Sequence, residues 1–126
     1  METLRIEPTD DSPLVILDAE TGHCEISGKS LPEDVVAFYQ PVIGWLNDFE
    51  KAGREQVDLT FRLLYFNTAS SKQLLDVMMA LEDIAAAGKK ALIKWYSVEE
   101  DEEMQEAGQE YAEMVDIPFE HFTYTP

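Results

Sequence analysis

The residues best placed to do chemistry are hydroxyls gathered where an apolar run gives way to a helix pattern, in Tyr65-Phe66-Asn67-Thr68-Ala69-Ser70-Ser71. Ser70 followed three positions later by Gln73 fits a capping box, which predicts Ser70 as N-cap with Asn67, Thr68 and Ala69 as the turn before it. The first N–H groups of a helix have no partner within the helix and carry partial positive charge, so a phosphate, bound or covalently attached, is tolerated there. Two readings follow. The hydroxyls only cap the helix, a common use of Ser, Thr and Asn, or one of them is a regulatory phosphoacceptor. Thr68 is the candidate for the second role, because it lies two positions before the predicted cap and its hydroxyl is not needed there. Phosphorylation would add roughly −1.5 to −2 charges and disrupt binding to an apolar or acidic surface without unfolding the chain.

Other constellations are poor. His23 and His121 are the only imidazoles and neither has a second histidine at helical spacing, so no metal site is expected. Cys24 is the only cysteine, which excludes an internal disulfide and a thiolate zinc cluster. His23 and Cys24 are neighbours in a strand pattern and point to opposite faces, against their acting as a catalytic pair. The run Glu99 to Glu103 reads as a solvated helix start, since negative charge there favours the dipole. It lacks the glycine and alternating ligands of a calcium loop, and no glycine-rich phosphate loop occurs anywhere. No cofactor is expected, and an enzyme built on His121 or the acidic run lacks a convergent acid, base and nucleophile.

Nine Lys and Arg stand against 26 Asp and Glu, a formal charge of −17. That charge repels nucleic-acid phosphates and anionic lipid, so neither nucleic acid nor a membrane surface is an expected partner. No signal-like apolar core begins the chain and no run of about 18 apolar residues occurs, which predicts a cytoplasmic protein. The length suits one domain over residues 1–126.

The elements that must position the hydroxyl turn follow from patterning. Leu4 to Glu7, Leu14 to Leu17 and His23 to Ser27 predict an antiparallel meander at a sheet edge with few helices to cover it. Ser30 and Glu33 in capping-box register open a first helix with Val35, Phe38, Val42, Trp45, Leu46 and Phe49 on its apolar stripe. Pro41 should kink it and Gly53 close it. Val57 to Phe66 reads as a central strand covered on both faces. Leu74, Met78, Leu81, Ile84 and Ala85 line a second helix ending at Gly88, and Ala91 to Tyr96 forms the next strand, so strand, helix, strand implies a right-handed parallel crossover. A third, acidic helix runs to about Val115. Pro118 ends it, and Phe119 to Tyr124 adds a last strand or lies across the core.

Several strings, taken in order, resemble the SiaC family of bacterial regulatory phosphoproteins over nearly the whole chain. They are Gly28-Lys29-Ser30-Leu31-Pro32-Glu33-Asp34, Phe38-Tyr39-Gln40-Pro41, Trp45-Leu46, the run from Tyr65 to Ser71, and Lys94-Trp95-Tyr96. The resemblance implies an α/β fold related to STAS-type anti-sigma-factor antagonists, a mixed sheet packed by about three helices. It implies a role for one residue only, Thr68 as phosphoacceptor; Asn67, Ala69, Ser70 and Ser71 around it are the expected partner-binding surface. It further implies a partner-switching circuit in which the unphosphorylated protein binds and activates a diguanylate cyclase, a SiaB-like kinase phosphorylates it and a PP2C-type phosphatase restores it. An anti-sigma-factor antagonist acting on transcription is the alternative.

Overall fold

The computed structural model describes all 126 residues. Its elements in chain order are β1 (Leu4–Ile6), β2 (Leu14–Leu17), β3 (His23–Ser30), α1 (Val35–Lys51), β4 (Gln56–Phe66), α2 (Thr68–Ala86), β5 (Lys90–Val98), α3 (Glu102–Met114) and β6 (Phe119–Tyr124). All six strands form one sheet in their sequence order. The β1-β2-β3 meander is antiparallel, and β3 to β6 are parallel to one another. The last segment is therefore a true strand, seated beside β5.

The expectation that β4 is covered on both faces is wrong. Val57, Leu59, Phe61 and Leu63 are buried, while Asp58, Thr60 and Arg62 between them are only partly covered. The topology supplies the reason. Each crossover moves one strand further in the same direction, and crossovers of one hand then place α1, α2 and α3 on the same face. The result has two layers, with the opposite sheet face bare. The continuous apolar look of β4 came from Leu64 and Tyr65, about half exposed, which sit where the β3–β4 register slips between Gly28 and Lys29.

The meander is better covered than expected. Val15 and Leu17 have no exposed surface, and α1 reaches the N-terminal segment, where Trp45 Nε1 donates to the Glu2 carbonyl at 2.8 Å. The start of α1 also differs. Ser30 is the last residue of β3, and Asp34 caps the helix by accepting from Ala37 N at 3.1 Å. The helix continues through Pro41 to Lys51, with Gly53 just beyond at φ +75°. Pro41 is exposed and faces away from the buried set of Tyr39, Val42, Trp45, Leu46 and Phe49.

On the β5–β6 side, α3 lies close to the sheet at Gly108. A Cβ there would stand 2.4 Å from the Trp95 ring, so only glycine allows this approach. Trp95 in turn packs against Phe61 and Tyr111, with ring centroids 5.5 Å away in each pair, and donates to the Met104 carbonyl at 3.0 Å. That contact fixes α3 and brings Tyr111 to the first turn of α2.

Candidate functional site

The hydroxyl turn lies where β4 delivers the chain to α2, at the carboxyl end of the parallel strands. The cap is Asn67, not Ser70: its backbone is extended (φ −88°, ψ 174°) and its Oδ1 accepts from Ser70 N at 2.8 Å. Asn67 N donates to the Ser30 carbonyl at 3.2 Å and its own carbonyl receives Ser71 N at 3.0 Å, so the turn is tied to both β3 and α2. Thr68 thereby becomes the first helical residue, and Ser70 the third.

Ser70 is fully buried, so it is not part of an exposed partner surface. Its Oγ donates to the Ser30 carbonyl at 2.8 Å and accepts from Ser30 Oγ at 2.9 Å. With the Ser30 proton so committed, the 2.5 Å contact between Ser30 Oγ and the Tyr39 hydroxyl runs with Tyr39 as donor. A directed chain results, from Tyr39 on α1 through Ser30 on β3 to Ser70 on α2. Burial pushes the Tyr39 phenol up to about 12, against the opposing effect of its Ser30 bond, which keeps it a donor. From the other side, the Tyr111 hydroxyl donates to the Ser71 carbonyl at 2.8 Å, and burial likewise raises its pKa.

Against this bonded background Thr68 stands apart. It is exposed and its hydroxyl has no hydrogen-bond partner, whereas Ser71 Oγ donates to the Thr68 carbonyl at 2.7 Å. Ala69 is exposed, and Asn67 and Ser71 are half-buried. As first residues of the helix, Thr68 and Ala69 have N–H groups with no acceptor within α2. No acidic residue occupies this first turn, in contrast to α3, which begins with Glu102 and Glu103. A phosphate on Thr68 would meet the dipole and free N–H groups without a like charge in the same turn. Beside the turn, a groove of about 300 Å³ between α2 and α3 is lined by Phe66, Ser71, Lys72, Leu75, Tyr111 and Met114, among others.

The remaining candidates are scattered. Cys24 is buried and burial raises its thiol to about 12, so it packs as a small apolar group. His23 points to the opposite face, 2.5 Å from Asp58 Oδ2, and His121 lies exposed on β6. No three His, Cys, Asp or Glu side chains converge to hold a metal ion, and no helix is long and apolar enough to cross a membrane. Sequence reasoning missed Ser30, Tyr39 and Tyr111 as supports of the turn. The available signal was Tyr39 itself, a polar-tipped aromatic at helical spacing on the apolar stripe of α1.

The molecule is thus a two-layer α/β domain that anchors one unbonded hydroxyl at a helix start through buried partners. The family model of SiaC regulatory phosphoproteins matches residues 6–124, and the chain belongs to that family. An uncharacterized protein of Pseudomonas aeruginosa strain UCBPP-PA14 is 30% identical over 119 residues, 94% of each chain. The crystal structure of apo-SiaC from Pseudomonas aeruginosa superposes with a TM-score of 0.89 at 29% identity, covering 97% of this chain and 99% of that one. SiaC from a crystal structure of the diguanylate cyclase SiaD in complex with its activator SiaC, from the same organism, superposes with a TM-score of 0.91 at 29% identity, covering 96% and 99%.

Proposed function

We propose that this chain is a phosphorylation-controlled partner-switching protein that binds and activates a diguanylate cyclase while Thr68 is unmodified. The observation that carries this reading is the contrast within one turn, where Ser70 is fully buried and bonded while Thr68 is exposed with a free hydroxyl. Membership of a family of regulatory phosphoproteins and the likeness to an activator captured with its cyclase supply the partner class. Asn67, Ala69 and Ser71 flank Thr68 and belong to the contact surface.

The switch is electrostatic. A phosphate adds roughly −1.5 to −2 charges at a surface that must be desolvated on binding, and the chain is already at −17. The helix start accommodates that charge, so the fold survives while the complex does not. A SiaB-like kinase adds the phosphate and a PP2C-type phosphatase removes it. The protein itself turns nothing over. It prefers the active arrangement of the cyclase, and a preference of about 2.7 kcal/mol shifts such an equilibrium roughly a hundredfold at saturation.

The test combines purified chain, cognate cyclase and GTP. The chain alone yields no cyclic di-GMP, adding it to the cyclase raises the rate, and phosphorylating Thr68 abolishes the rise. Phosphopeptide mapping from cells places the phosphate on Thr68. An unchanged cyclase rate in the presence of a stable complex refutes the activator role, and phosphate found only on other residues refutes the site.

A further inference from the structure

The bare face of the sheet has a chemistry of its own, remote from the hydroxyl turn in the helix layer. Strand register sets Arg5, Ile16, Glu25, Thr60, Lys94 and Glu120 side by side across it. The next row runs Leu14, Ser27, Arg62, Tyr96 and Phe122. Arg62 has no ion pair or hydrogen bond in a chain with 26 carboxylates. Its guanidinium instead lies 4.6 Å from the Tyr96 ring centroid and 5.6 Å from that of Tyr124. Tyr96 also stacks on Phe122 at 4.8 Å. The face therefore offers an aromatic platform and an unpartnered cation flanked by charges of alternating sign.

We propose that this face pairs with the same face of a second copy of the chain, making a twofold dimer. Three features of the chain select that occupant. The first row has Arg5 on one edge strand and Glu120 on the other, so its reversal brings opposite charges together at both edges, while Glu25 meets Thr60 and Lys94 meets Ile16. A twofold axis parallel to the strands, between β3 and β4, sets Arg5 opposite the second copy's Glu120. In the next row it sets Arg62 opposite the second copy's Ser27 and Tyr96 opposite its Leu14, each contact occurring twice. The guanidinium, without an acceptor in the single chain, gains one.

The second feature is the distribution of the acidic excess. Nine carboxylates and no Lys or Arg lie between Glu99 and Asp116, on the helix layer, so face-to-face pairing holds the two acidic helices on opposite outer sides. The third is area. The six strands hold 41 residues, and at a rise of about 3.3 Å and a spacing of about 4.8 Å they offer on the order of 600 Å² per copy, so the pair clears the ~1,000 Å² that a stable interface needs. Aligned packing at about 10 Å separation is the ordinary way two such sheets meet. Both Thr68 turns stay open in this dimer, so its formation does not depend on phosphorylation.

Sedimentation velocity of the unmodified chain, from micromolar to sub-millimolar concentration at physiological salt, reads the outcome directly. The expected result is a species of twice the 14.3 kDa chain mass, equally for chain with and without phosphate on Thr68. Arg5→Glu weakens the dimer about tenfold, since two exposed pairs turn repulsive, and the double variant Arg5→Glu with Glu120→Arg restores it. Both side chains are exposed, so neither change disturbs the core, and Tyr96→Glu provides an independent break at the platform. A chain that stays monomeric throughout overturns the proposal. A dimer indifferent to Arg5→Glu and Tyr96→Glu, or one that the double variant does not restore, overturns this face or this pairing.

Discussion

Thr68 and Ser70 are hydroxyl residues two positions apart in the first turn of one helix, yet the fold treats them oppositely. Ser70 is enclosed between β3 and α1 and bonded twice through its Oγ, while Thr68 faces solvent with its hydroxyl unengaged. The difference comes from the helix period. A step of two residues turns a side chain by about 200° around the axis, so one position faces the sheet when the other faces water. A hydroxyl in the turn is thus fixed as buried and bonded or as exposed and free by register alone, and the register is set by Asn67 as cap.

The largest break in this comparison is a charge placed on each position. Ser70→Asp buries an unpaired carboxylate and should cost about 3–5 kcal/mol, whereas Thr68→Asp should stay within about 0.5 kcal/mol of the parent; urea titrations of the two variants read the gap. Next comes pH. The Tyr39 phenol is raised from 10.0 to about 12 in the folded chain, so the unfolded chain loses its proton first and stability falls as pH rises from about 10 to 12. The loss is on the order of 2–3 kcal/mol. Tyr39→Phe should remove the Tyr39 share of that slope while keeping the packed ring, the share of the likewise buried Tyr111 remaining, and an unaltered slope would contradict the burial of the Tyr39 phenol. A smaller effect belongs to the cap itself: Asn67→Ala should lower stability by about 1 kcal/mol, measured by denaturant midpoint. Thr68→Ala should be nearly silent in the same experiment, within about 0.5 kcal/mol, and should preserve partner binding. A midpoint shifted by Thr68→Ala and not by Asn67→Ala would contradict the observed register.

Element order was legible because each helix and strand has a clear period. The parallel crossover through α2 followed from the order alone, and the match of the family model agrees with the resemblance carried by the short strings. Register at element starts was less legible. Ser30-x-x-Glu33 and Ser70-x-x-Gln73 satisfy the capping-box pattern equally well as sequences, but Asp34 and Asn67 are the caps. Ser30 is drawn into β3 by its pairing with Phe66, and its carbonyl then captures Ser70 Oγ. That contact spans 40 residues, and no local pattern encodes it. The single covered face was misread for a related reason. Leu64 and Tyr65 lengthen the apolar run of β4, and only the register slip opposite Lys29 shows that they leave the core. Thr68 itself was singled out by its position ahead of the expected cap; it is free for a different reason, being first in the helix with Asn67 doing the capping.

The central claim is that one phosphate on Thr68 decides partner binding, and calorimetric titration against the cognate diguanylate cyclase tests it most directly. Unmodified chain should bind saturably, and chain stoichiometrically phosphorylated on Thr68 should remain folded by circular dichroism yet lose affinity about a hundredfold or more, as expected for a doubly charged group desolvated at an interface. Equal affinity of the two folded forms for the cyclase would contradict the account.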